Sequence, residues 1–245
     1  MTARTAAAAS LVLALASAGC LSFYEIAVET PIQAKIDVSP FRRVLVAGFL
    51  SGGADNIDPN TETARLLRSQ LRSRSDMTVI DADVLPLTDE ARRQNAALAG
   101  APMATEADLE AYEKFFDDAA YWKKVGDEYQ GALIVTGSVL FREISRSGVF
   151  STPQTYVDPT GRTRTAEQRQ YVDQKGFALT PKFVFIDGRT GEQLYSEAFH
   201  EETLYASGQT VPALSSYFEL MDKVLPSFLN TLSTQKIRGT RFLLK

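Results

Sequence analysis

The side chains that could carry out chemistry in this chain are few, and each stands in a poor setting for it. His200, in "AFHEETL", is the single histidine. A metal centre built from several imidazoles is therefore excluded, and an imidazole-based triad would depend on this one residue. No second histidine follows to complete an HExxH helix, so the expected role is a rim histidine beside Glu201 and Glu202. Asp81 and Asp83, in "VIDADV", could pair as acid and base or hold a cation. The same spacing suits a strand end, where aspartate bonds its own backbone. Gly48, Gly52 and Gly53, in "GFLSGGADN", lie between an expected strand and helix, where backbone amides attract anions. They fit neither GxGxxG nor GxxxxGK[ST], and no lysine occupies the critical place. A plain turn is expected there, with no cofactor and no metal. An envelope hydrolase using Asp81, Asp83 or His200 is the alternative from the enzyme class.

Cys20 belongs to a different chemistry. It is the only cysteine, so an internal disulfide is impossible. It follows Arg4 and the apolar run Ala6 to Ala18, which at about 13 residues is too short to cross a hydrocarbon core needing roughly 20. That is the anatomy of an export signal. "SAGC" is similar to the bacterial lipobox, in which a cysteine after small residues receives diacylglycerol and becomes the new first residue. The competing site, after Ala18, would leave a chain starting at Gly19. Lipid attachment at Cys20 explains the odd cysteine, and acyl chains contribute about 0.8 kcal/mol per buried methylene to anchoring. Leu21, where aspartate could stand, suggests sorting to the outer membrane by the same resemblance. The reading is a signal peptide over 1–19, an extended tether over 20–40 and a single α/β domain over 41–245.

Removing the first 19 residues leaves about 226 of 245, enough for one substantial domain. Acidic residues outnumber basic ones, 30 to 26, so nothing points to nucleic acid. No later stretch is apolar for long enough to be a membrane helix.

The elements follow from periodicity. "RVLVAGF" is a continuous apolar run, the pattern of a strand buried on both faces. Asp58 and Pro59 form an N-cap and first helical position, and Ala64, Leu67 and Leu71 recur at helical spacing. "MTVIDAD" reads as the next strand, and "TDEARRQNAALAG" as a short helix. "TEADLEAYEKFFDDAAYWKKVGDEY" reads as one longer helix, opened by Thr105 and Asp108 and burying Leu109, Tyr112, Phe116 and Ala119. "GALIVTGSVLF" is a strand, "KFVFIDGRTGEQLYSEAF" a hairpin turning at "DGRTG", and a helix over 211–232 precedes a short terminal strand at "TRFLLK". The fold class is α/β, a three-layer mixed sheet flanked by helices, with a polar insertion at about 142–176 between late strands.

Two surfaces are candidates for partner contacts. Arg65, Arg68 and Arg72 share a face of the first helix by their spacing, either as a solvated face or as a dock for an acidic partner. The insertion interleaves Phe150, Tyr156 and Tyr171 with Arg162, Arg164 and Arg169, and long polar insertions in compact domains are usually functional or disordered.

An exported cysteine followed by "RVLVAGF", "ARLLRSQLRSRSDMTVID", "YQGALIVTGSVLF" and "FVFIDGRTGEQLYS" resembles, in order and spacing, the curli-secretion lipoprotein (CsgG) family. Its relatives include the N-terminal domain of TolB and the LpoB activator of a peptidoglycan synthase. The resemblance covers residues 43 to about 205. It implies a non-enzymatic α/β module for protein contacts in the bacterial envelope, held by its lipid on the outer membrane and facing the periplasm. The expected partner is an envelope protein in assembly, secretion or cell-wall synthesis. A curli-type channel subunit is the alternative, with a homo-oligomer left open. Channel strands must alternate apolar toward lipid over about 10 residues. In the insertion neither Ile144, Arg146, Gly148, Phe150, Thr152, Gln154 nor Ser145, Ser147, Val149, Ser151, Pro153, Thr155 makes such a stripe.

Overall fold

The computed structural model describes residues 23–53, 56–74, 76–95, 100, 103–206, 208–233 and 235–244. Residues 1–19 and Cys20 lie outside them. The chain divides into two compact units, one made of 34–233 and the other of the segments before and after it.

In the smaller unit, β1 (Phe23–Ile32) pairs antiparallel with the last strand (Gln235–Leu244) over ten positions. Where a tether is expected over 20–40, residues 23–32 are thus a laddered strand. The partner strand is also longer than "TRFLLK" suggests. Glu29 and Arg238 sit opposite each other and form an ion pair at 3.0 Å. Such cross-strand pairs are invisible until the register is known.

The larger unit is the expected mixed sheet with helices on both faces. Its elements are β2 (Arg43–Gly53), α1 (Pro59–Arg74), β3 (Thr78–Val79), α2 (Leu87–Gln94), α3 (Glu106–Glu110), a 3₁₀ turn (Glu113–Asp117) and α4 (Ala119–Glu128). There follow β4 (Leu133–Val157), β5 (Thr163–Asp187), β6 (Gln193–Ala198), β7 (Glu201–Tyr205) and α5 (Ala213–Leu232), with β8 naming the terminal strand above. The strand order is β3-β2-β4-β5-β6, and β7 also pairs with β5. β2 runs parallel to β3 and β4, while β5 is antiparallel to β4, β6 and β7.

Alternation along the strands divides the core in two. Val44 and Val46 of β2, with Leu133, Val135, Val139 and Phe141 of β4 and Phe183 and Phe185 of β5, pack under α1 and α5. Leu45 and Ala47, with Ile134, Leu140, Val184 and Ile186, pack under α2 to α4 and the 3₁₀ turn. "VLVA" is buried on both faces for this reason. The helices start where local chemistry says they should. Asp58 accepts from the Asn60 amide at 3.1 Å and from the Thr61 hydroxyl at 2.5 Å, ahead of Pro59. Thr105 and Asp108 form a reciprocal capping box.

The single helix expected over 105–129 is instead three pieces. Asp118 caps a new start by accepting from the Tyr121 amide at 3.1 Å. The break lets Phe115, which falls off the apolar stripe, be buried with Phe116. Both rings pack on Trp122, whose indole N–H donates to the Phe115 carbonyl at 3.0 Å. Ala119 is only half-buried. A local cap together with aromatic burial outweighs helical continuity here. The strand expected at "MTVIDAD" is likewise reduced to the two residues of β3, after which the chain runs extended beside β2.

The largest departure is the insertion at 142–176, which is no loop. β4 and β5 are 25 residues each and pair without a register shift from Leu133↔Asp187 to Val157↔Thr163. The "insertion" is the outer half of one long hairpin. Its residues alternate without an apolar majority, so it carries none of the signal of a half-buried strand.

Candidate binding surfaces

The arginine face does not survive folding. Arg65 is exposed and paired with Glu62 at 2.7 Å, and Arg72 reaches Asp81 at 3.1 Å. Arg68 is buried and donates from Nη2 to the Val46 carbonyl at 2.8 Å. Its place follows from the strand beside it. Ile80 donates to Val44 and Leu85 to Ala47, so four residues bridge a gap that two would span, and segment 81–84 bows outward. The Val46 carbonyl, which a regular ladder would satisfy with an amide, is capped by the guanidinium. Burial lowers the pKa of Arg68, and its Nε has no partner. Arg68 is therefore a plug in the sheet edge, and the three arginines do not form one dock.

Asp81 and Asp83 stand exposed on that bowed segment, and with Arg68 and Tyr129 they line an open depression. "GFLSGG" is part of β2, laddered to β4 as far as Gly53↔Phe141. The anion-binding turn considered for it does not form. Gly53 has φ +108°, and a Cβ on it would meet the Phe141 carbonyl oxygen at 1.6 Å, so close packing against β4 calls for glycine there. His200 meets Thr180 and Glu106. Its Nδ1 lies 2.9 Å from the Thr180 hydroxyl and 3.7 Å from Glu106. The Thr180 hydroxyl also donates to Glu106 at 3.0 Å. Among the described residues no group of three or more His, Cys, Asp or Glu could hold a metal ion. None of the described helices is long and apolar enough to cross a membrane.

The second predicted set lies on one hairpin but not on one face, since Tyr156 and Arg164 hold even positions near the turn and Tyr171 an odd position opposite Val149. The hairpin turn is organised by Asp158, which accepts from the Thr160 amide at 2.9 Å, the Thr160 hydroxyl at 2.6 Å and the Arg162 amide at 3.0 Å. Those bonds, led by the Thr160 hydroxyl, hold its carboxyl below the usual carboxylate range. Its other oxygen takes Arg164 Nε at 2.8 Å. Arg164 is thus committed to the turn, whereas the Arg162 side chain is exposed. Val149 and Tyr171 lie directly opposite each other and are 65% and 67% exposed; Tyr156 and Val157 are exposed as well. Phe150 holds the register position opposite Gln170, and its side chain lies outside the described residues. In the ladder, positions of equal parity share a face. The odd positions carry Glu167, Arg169 and Asp173, while the even positions from Gly148 to Gln154, and from Ala166 to Val172 opposite them, carry no charge.

A feature missed in the sequence sits at the base of this ribbon. A cleft of about 480 Å³ is lined by Glu143, Ser145, Lys175, Phe177, Tyr205 and Val211, among others. These residues come from β4, β5, β7 and the segment before α5, so no local pattern could have joined them. Tyr205 is fixed there through its hydroxyl, 2.9 Å from Ser216 and 3.3 Å from Glu219.

No family model matches the chain, and no curated protein does either. Among solved structures it is similar to lipoprotein GNA1162 from Neisseria meningitidis, at 14% identity and TM-score 0.34, with 77% of this chain and 98% of that one covered. It is also similar to a hemagglutinin homolog from Helicobacter pylori, at 11% identity and TM-score 0.38, with 84% and 91% covered. Neither likeness is close enough to pass a function to this chain.

Proposed function

We propose that the chain is an exported lipoprotein without a catalytic role, anchored through Cys20, that binds a protein partner in the bacterial envelope as an accessory to assembly, secretion or cell-wall synthesis. The observation that supports this reading is the β4–β5 ribbon, which presents Val149, Tyr156, Val157 and Tyr171 to solvent. Exposed aromatic and aliphatic side chains on a turn-locked arm suit a contact surface. The lipid confines the domain to the membrane and so raises its effective concentration toward a partner there. Outer-membrane residence facing the periplasm is the location that goes with this role. Cys20→Ser should release the protein from the membrane fraction. Replacing Tyr156, Arg162 and Tyr171 together should weaken partner capture at least tenfold, and unchanged capture would remove the ribbon from the reading.

One observation favours a second reading, a curli-type channel subunit. Past its last contacts with β2 and β7, the hairpin continues over residues 142–157 and 163–174, which exceeds the 9–11 residues a membrane-spanning strand needs. Against it, Glu167, Arg169 and Asp173 fall on one face and four glutamines on the other, so neither face offers lipid an apolar stripe. The mass of the detergent-solubilised particle separates the two, since a large closed ring would favour the channel.

A further inference from the structure

One face of the outer hairpin carries its charges in an order that mirrors itself. On β5 the odd positions read Glu167, Arg169, Tyr171, Asp173 and Lys175, so each charge is matched by its opposite at equal distance on the far side of Tyr171. On β4 the residues laddered to them are Pro153, Ser151, Val149, Ser147 and Ser145. Every one of these side chains is exposed. Among the described residues Arg169, Asp173 and Lys175 form no ion pair, and Glu167 takes the Ser151 hydroxyl at 3.1 Å. α5 reaches the same face further in, where Tyr217 packs edge-on against Phe141.

Such a face is complementary to itself. Sheets pack face to face with their strands nearly aligned and about 10 Å apart, and a two-fold axis makes both copies use the same patch. With the axis across the strands at the level of Tyr171, β5 of one copy lies antiparallel over β5 of the other. Tyr171 then meets Tyr171, Val149 meets Val149, Arg169 of each copy meets Asp173 of the other, and Glu167 meets Lys175. A slip of two residues in either direction sets Glu167 over Asp173 or Arg169 over Lys175, like charge on like. The alternative two-fold axis, along the strands, sets these charges over serines and Pro153 and pairs none of them. Beyond the paired stretch, Thr155 and Thr165 of the other copy run over the cleft of about 480 Å³ lined by Glu143, Lys175 and Phe177, which gives them room. The shared face is about 30 Å by about 10 Å, roughly 300 Å² per copy against about 800 Å² in a standard interface. The association is therefore weak, and the dilute chain is monomeric.

We propose that the odd face of the outer hairpin, from Ser145 to Pro153 and from Glu167 to Lys175, docks on the same face of a second copy of this chain about a two-fold axis at the level of Val149 and Tyr171. Those two residues form the apolar centre, and the ion pairs around it fix the register. The even face, with Tyr156, stays free for the envelope partner, so the inference goes beyond that reading and does not depend on it.

The test is sedimentation of the full chain in mild detergent over a concentration series reaching its solubility limit. Wild type should form dimers, and added salt should weaken them. Arg169→Asp and Asp173→Arg should each weaken dimerisation at least tenfold, because each sets like charges opposite one another in both halves of the interface. Mixed in equal amounts, the two variants should recover dimers close to the wild-type level, since each copy then supplies the charge the other lacks. Should either fail to fold, Glu167→Lys and Lys175→Glu form a second reciprocal set with the same expected outcome. A chain that stays monomeric throughout overturns the proposal, as do dimers indifferent to salt and to both reversals, an absence of recovery on mixing, or a closed ring larger than a dimer. A photo-crosslinker at Tyr171 identifies what covers the face. Adducts joining two copies of the chain support the proposal, whereas adducts only to the β1–β8 pair of the same chain, or only to another protein, overturn it.

Discussion

The β4–β5 hairpin is one uninterrupted ladder with two unlike halves. From Leu133 to Phe141 and Leu179 to Asp187 it is covered on both faces; from Ser145 to Val157 and Thr163 to Lys175 it is mostly open to solvent on both. Backbone pairing is the same in each half, so pairing does not decide burial. The side chains do: Val135, Phe141, Phe183 and Phe185 bring helices down onto the sheet, while serine, threonine and glutamine leave the outer half bare. Stability should therefore reside in the inner half and partner contacts in the outer.

That division can be broken most visibly from inside. Phe183→Ala removes a ring packed on Phe49, Phe199 and Phe228 and should lower the unfolding free energy of the larger unit by about 3–5 kcal/mol. Tyr171→Ala, on the open half, should change it by no more than about 0.5 kcal/mol. Urea unfolding of the two variants side by side measures the contrast, and equal losses would deny it.

Arg68→Leu comes next. It strands the Val46 carbonyl at the sheet edge, at a cost of about 1–3 kcal/mol. Arg65→Leu on the same helix should cost less in the same titration, because Arg65 itself is exposed and its loss strands no backbone group.

A smaller effect is expected from acid. Asp187 is buried and held below the usual carboxylate range, chiefly by the Arg189 side chain, whose Nε and Nη2 donate at 2.9 and 2.6 Å. A depressed carboxyl contributes stability that is complete above its unfolded value, about 3.9, and is lost as pH falls through the folded one. Asp187→Asn should flatten the acid limb of a melting-temperature profile below about pH 4 relative to wild type. An unchanged limb would show that the pair contributes nothing to acid sensitivity.

The smallest change sharpens the outer half alone. Asp158→Ala removes the acceptor for the Thr160 and Arg162 amides and should speed their hydrogen exchange at least tenfold while leaving the melting temperature nearly unmoved. A large global loss would mean that the ribbon is part of the cooperative core.

Much of the inner structure was legible in the residues. "VLVA" announced a two-faced core strand, Asp58 with Pro59 opened α1, Thr105 with Asp108 opened α3, and "DGRTG" turned β5 into β6. These are short-range signals in which a handful of neighbouring side chains fix one backbone choice. The outer hairpin was not legible, because a strand exposed on both faces has no hydrophobic period to display, and its register follows from continuity with a buried ladder ten residues away. Arg68 was misread for a related reason. Spacing placed it beside Arg65 and Arg72, but only the bowed segment from Asp81 to Val84 opens the gap that draws it inward.

The residues by themselves thus determined the fold class and the local caps, since each depends on composition or on neighbours within a few positions. Tertiary structure alone decided which arginine is buried, how far β2 accompanies the hairpin and which distant side chains share a cleft. Those outcomes depend on which backbone groups remain unpaired once the sheet has assembled, and that depends on strands far apart in sequence.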